Sequence, residues 1–147
     1  MGIFEKIFKS RNNKTVDSSI GTFKLVYSKK HKNLWSAEIN SIYTTVRGTD
    51  NNPDEELIAF VSTIPKKIED LSEKISIKFK REFKNAGLEI NFNDWHDKFK
   101  IVATEVMMII DNESFWSITF EDIESPFAEF TVYIEGESIN SDFSIDK

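Results

Sequence analysis

Residues 53–87 read PDEELIAFVSTIPKKIEDLSEKISIKFKREFKNAG, and this stretch decides the fold class. Leu57, Phe60, Val61, Ile64, Ile68, Leu71, Ile75, Phe79 and Phe83 recur mostly at three- and four-residue intervals, which gathers them on one face of an α-helix. Asn52 or Asp54 can cap its start, Pro53 stands near the first turn, and Asp54, Glu55 and Glu56 lie at the positive end of the helix dipole. Gly87 is a natural stop. Pro65 lacks a backbone N–H, so the pattern predicts one long Pro-kinked helix or a helix pair; the stripe stays in phase across Pro65, which favours a bend over a reversal.

Strand patterns flank this helix. On its N-terminal side Gly21–Ser28 alternates around Phe23, Leu25 and Tyr27. Leu34–Asn40 sets Trp35, Ala37 and Ile39 on one face, and Ser41–Arg47 does the same with Ile42, Thr44 and Val46 before Gly48. After the helix, Leu88–Lys100 is irregular, with a helical turn expected at Trp95–Phe99. Four strands follow, Thr104–Ile110, Ser114–Glu121, Phe127–Glu135 and Ile139–Ile145, separated by breaks short enough for hairpins. The expected fold is therefore α+β: an antiparallel sheet of about six or seven strands, three before and four after, packed on the helix. The strand holding Val106–Ile110 is apolar on both sides and should be central. Residues 1–19 are expected to form a short amphipathic segment, with Ile3, Phe4, Ile7 and Phe8 on one side, and a polar linker over Arg11–Ser19; residues 20–147 form a single domain.

Charge divides the chain unevenly. From Ile101 onward eleven carboxylates face one base, Lys147, so this third carries about −10 of charge, while residues 1–100 carry +4, giving the net −6. Such asymmetry bears on partners and solubility, not on fold. The chain has no cysteine, which excludes disulfides, thiolate nucleophiles and thiolate zinc sites, and the expected compartment is the cytoplasm. The opening MGIFEKIFKS holds only isolated apolar pairs, which argues against a secretory leader and leaves little membrane affinity. Lys66, Lys67, Lys74, Lys78, Lys80, Arg81 and Lys84 are interleaved with Glu69, Asp70, Glu73 and Glu82, the pattern of a solvated helix face and not of a nucleic-acid stripe.

Alternation decides where the acids point. Phe130, Val132 and Ile134 belong to one face of their strand, and Glu129, Thr131, Tyr133 and Glu135 to the other. In the last strand Ile139, Phe143 and Ile145 turn inward while Asn140, Asp142, Ser144 and Asp146 turn outward. The outward set gathers Glu121, Glu129, Glu135, Asp142 and Asp146 beside Thr119, Thr131 and Tyr133. Two readings stay open: a solvated side that blocks edge pairing, or a docking surface for a basic protein. For the second, the candidate contact residues are Glu121, Asp122, Glu124, Glu129, Tyr133, Glu135, Asp142 and Trp116, with Phe115 as a further aromatic anchor. Two classes compete with this: an accessory protein that touches a membrane or partner through residues 1–19, and a metal-dependent or hydrolytic enzyme. The only sequence support for the enzyme is Asp94, His96 and Asp97, whose consecutive placement suits a solvated turn better than a metal centre, and Glu121, Asp122 and Glu124, which lack the glycine-bearing spacing of a calcium loop. No phosphate-cradling glycine loop or nucleophile elbow is present, so no cofactor and no resident metal is expected.

The order Ile20-Gly21-Thr22-Phe23-Lys24-Leu25-Val26-Tyr27, Leu34-Trp35-Ser36-Ala37-Glu38-Ile39, Pro53-Asp54-Glu55-Glu56, Asp111-Asn112-Glu113-Ser114-Phe115, Phe120-Glu121-Asp122 and Phe130-Thr131-Val132-Tyr133-Ile134 resembles the bacterial "domain of unknown function 2262" and its relatives over residues 20–147. Members of that family often carry a Gly-His pair where this chain has Ala128 and Glu129 after Phe127, so any role of that histidine is missing here. The resemblance implies a small non-enzymatic α+β protein. Through the immunity-type proteins similar to it, it also implies a toxin domain as the basic partner.

Overall fold

In the computed structural model, which describes residues 14–27 and 33–146, the stretch 53–87 folds as two helices, α1 (Glu55–Val61) and α2 (Ile64–Asn85). Asp54 caps α1, its carboxylate accepting the backbone N–H groups of Glu56 and Leu57 at 2.9 and 3.3 Å. The break falls at Ser62–Thr63, because Pro65 can occupy only the first turn of a helix and sits there in α2. Of the two expected forms, the helix pair is the one found. Gly87, at φ 70°, ends α2: its N–H reaches the Lys84 carbonyl at 3.1 Å and that of Leu88 reaches the Phe83 carbonyl at 2.8 Å, the paired bonds of a Schellman cap.

Eight strands form one sheet in the order of the chain: β1 (Thr15–Ser18), β2 (Gly21–Tyr27), β3 (Asn33–Ile39), β4 (Ile42–Gly48), β5 (Phe99–Ile110), β6 (Glu113–Asp122), β7 (Glu129–Glu135) and β8 (Ser138–Asp146). The fold is α+β. Two-residue turns with positive φ join β3 to β4 (Asn40 51°, Ser41 66°) and β5 to β6 (Asp111 52°, Asn112 64°), the primed geometry that matches strand twist. Two features depart from the expected meanders. Strand β1 lies inside the stretch read as linker: Val16, opposite Phe23, is its single large apolar residue, too short a pattern to register as a strand. And β4 pairs with β5 in parallel, Thr44 opposite Thr104, since the chain crosses from one to the other through both helices. Residues 1–13 of the expected amphipathic segment and linker lie outside the described residues.

Among the described residues, only one face of the sheet is covered. Its inward rows run Trp35–Val46–Val106–Trp116–Ile134 and Ala37–Thr44–Thr104–Ile118–Val132, all buried. Helix α2 crosses this face through Phe79, fully buried and in ring contact with Phe83, Phe99, Phe120, Phe130 and Phe143 at centroid distances of 4.4–6.2 Å. Phe83 and Phe92 extend the cluster. The covering is not purely apolar. Lys78, read from sequence as part of the solvated helix face, is 7% exposed and turned toward β8. Its ammonium donates to the Glu82 carboxylate at 2.8 Å and to the Ser141 carbonyl at 2.9 Å. That carbonyl is free because β8 bulges: Val132 faces Phe143 but Ile134 faces Ile139, so three residues of β8 oppose Tyr133 alone.

Two truncations separate these terms. Phe79→Ala should cost ~3–5 kcal/mol in urea unfolding, the range for a buried aromatic replaced by alanine. Lys78→Met keeps the stem but strands the Ser141 carbonyl and Glu82, and should cost ~1–3 kcal/mol; unchanged midpoints would refute the anchoring described for either residue.

Candidate functional site

The uncovered face is built by the same parity that builds the core. On β6, residues 116, 118 and 120 point to the helices, so Phe115, Ser117, Thr119 and Glu121 point away. Carrying that parity across the register gives three rows. At one end Lys100, Glu121, Glu129 and Asp146 stand side by side on β5 to β8. With strands ~4.8 Å apart, three carboxylates fall within ~10 Å, and among the described residues the base in this row, Lys100, lies 3.9 Å from Glu121. The next row is Tyr43, Ala103, Thr119, Thr131 and Ser144. The third is Lys24, Ser36, Thr45, Glu105, Ser117 and Tyr133, with Glu135 one step beyond on β7.

Between the last two rows the open face is concave. The depression, about 360 Å³, is floored by hydroxyls and rimmed by Val26, Leu34 and the two tyrosines. Ser36 and Thr45 bond each other at 2.9 Å, Thr119 and Thr131 at 3.0 Å, and the Tyr133 hydroxyl meets Ser144 at 3.0 Å. Asn140 donates to the Glu135 carboxylate at 2.6 Å, while its own side-chain oxygen accepts the N–H of exposed Asp142 in the β8 bulge.

Of the residues expected at a docking surface, the sheet brings Glu121, Glu129, Tyr133 and Glu135 to this face, and Asp142 to its β8 edge. Glu124 lies exposed in the loop after β6, 4.0 Å from Lys98. Two expectations are corrected. Trp116 belongs to an inward row, is fully buried and packs edge-to-face on Phe60 at 5.8 Å, so it is no surface anchor. Asp122, of the same parity, is 8% exposed and paired with Lys98 at 3.2 Å, so its charge is already matched. Phe127, placed by sequence at the start of a strand, instead precedes it and is 87% exposed. Strand β5 is central as expected, yet Met108 and Ile110 point to the open side and are exposed, and the registered pairs with strands on both flanks fall in its middle, Ala103–Val106.

Asp94, His96 and Asp97 do not converge on an empty centre. Asp94 caps the 3₁₀ turn Trp95–Asp97, accepting from the His96 backbone N–H at 3.1 Å and meeting the His96 ring Nδ1 at 2.6 Å. Asp97 accepts the Asp94 N–H in return, and the His96 ring stacks on Trp95. Among the described residues no three His, Cys, Asp or Glu side chains form a group suited to a metal ion. The hydrogen bonds from His96, its side chain first, hold the Asp94 carboxyl below the usual carboxylate range.

A carboxyl depressed in the folded state adds stability above its unfolded value, ~3.9, and that stability disappears as pH falls through the lower folded value. His96→Ala should therefore return the Asp94 titration, followed by carboxyl-carbon NMR, toward the ordinary range; no movement would disprove the assigned cause.

The fold defines an α+β protein whose described helices cover one side of its sheet. Comparison with protein-family models, curated proteins and solved structures finds no match.

Proposed function

We propose that the chain is a non-enzymatic binding protein whose open sheet face receives a basic protein, and that in a bacterial cytoplasm it acts as an immunity protein against a toxin domain. One observation carries the reading: among the described residues the helices cover a single face of the sheet, and the other keeps a row of carboxylates on rigid strands, Glu121, Glu129 and Asp146, with Lys100 as the base described in that row. Such a surface steers a cationic partner and rejects anionic ones, and it needs no catalytic residue. Residues held on strands lose little freedom on binding, which favours tight association. Exposed Phe127 precedes the same end of β7 and supplies apolar contact area there. No helix among the described residues is long and apolar enough to cross a membrane.

The test compares the native chain with a variant carrying Glu121→Lys, Glu129→Lys, Glu135→Lys and Asp142→Lys, both tagged and exposed to lysate of the source organism at low and then moderate salt. A basic protein held by the native chain, partly released by salt and absent from the variant is the expected result. Circular dichroism confirms that the variant is folded. Equal capture by both would overturn the assignment of this face.

A further inference from the structure

Glu105 is the odd member of the open face. It stands at its centre, on the strand shared by the parallel and antiparallel halves, between Thr45 and Ser117. It is half-buried in the concave depression, and its carboxylate has no hydrogen bond or ion pair among the described residues. The row of Glu121, Glu129 and Asp146 is separate from it, two rows away along the strands. A half-buried carboxylate lining a hollow without a partner of its own is placed to pair with a cationic group that enters there.

A second observation points into the same hollow. Ser117 is 5% exposed and lines the depression, yet its hydroxyl makes no hydrogen bond to any described residue, while the neighbouring hydroxyls are paired with one another. Glu105 and Ser117 therefore present two acceptors side by side, open to the hollow and without a partner among the described residues. On the rim, Tyr43 is 51% exposed and Tyr133 half-buried, offering aromatic faces on either side.

From this geometry we infer that the depression is a socket for one arginine side chain of the basic partner. The guanidinium is a planar fork of donors that can meet the Glu105 carboxylate and the Ser117 hydroxyl together and lie against a tyrosine ring. A lysine ammonium would satisfy the charge but neither the fork nor the stacking. The carboxylate row at the end of the sheet then guides the partner, and Glu105 fixes its register. The inference rests on the proposed basic partner and adds the contact that would make the docking specific.

The test titrates labelled protein with N-acetyl-arginine amide, followed by amide NMR, with the citrulline and lysine analogues as probes of charge and shape. Saturable shifts centred on Thr45, Glu105 and Ser117 are expected with arginine, weaker ones with lysine and none with citrulline. Glu105→Gln should weaken arginine binding at least about tenfold, the loss expected for one charge-assisted hydrogen bond; the citrulline comparison probes the same contact in unmutated protein. Equal response to citrulline, or shifts confined to Glu121, Glu129 and Asp146, would overturn the socket. An octalysine peptide in the same titration separates the two claims: binding that spares Glu105 removes the socket but leaves the basic-partner reading standing, and no binding of either probe removes both.

Discussion

Everything in this molecule depends on a single layer of helix lying across one face of a sheet. The tie is aromatic: Phe79 of α2 meets rings from β5, β6, β7 and β8, so one helical position holds four strands to a common curvature. Lys78, the next residue back, fastens the same turn of helix to the bulge of β8 through the Ser141 carbonyl. Covering one face fixes the character of the other. With no second layer among the described residues, the outward residues of their strands are polar or accept exposure, and the hydroxyls, carboxylates and tyrosines of the open face fit that requirement.

The helical stretch and the seven longer strands were legible because each repeats its period enough times to stand out. The Asp54 cap and the Gly87 stop were legible for a different reason: each is dictated by local backbone chemistry that distant residues do not alter. Strand β1 was not legible, since four residues with one large apolar side chain carry no period. The parallel join of β4 to β5 was hidden too. Both neighbours read as good strands, but direction depends on where two helices leave the chain, and no residue type reports that.

The site was half legible. Alternation placed Glu121, Glu129, Tyr133 and Glu135 correctly, and the same alternation, applied to Trp116 and Asp122, would have sent both inward. Their chemical appeal as an anchor and a charge outweighed their parity, and parity was the better guide. Glu105 was missed because in sequence it is an acid at the start of an apolar run. Only pairing with β4 and β6 shows that it stands alone in a hollow, next to a serine whose hydroxyl has no partner among the described residues. The Asp94-His96-Asp97 cluster shows the converse: three attractive residues in sequence, engaged with one another in a capping turn.

The parallel pair also governs how the chain reaches this state. Thr44 and Thr104, hydrogen-bonded across the join, are sixty residues apart, whereas the hairpins on either side close through turns of two residues. Local meanders assemble before distant strands meet, because the entropy of closing the long connection opposes the join. On the ribosome β1 to β4 emerge first, and β4 waits as an open edge until β5 is synthesised. The vulnerable moment in the life of this protein is thus the interval before its two halves join, when the strands that will become the middle of the sheet are still its borders.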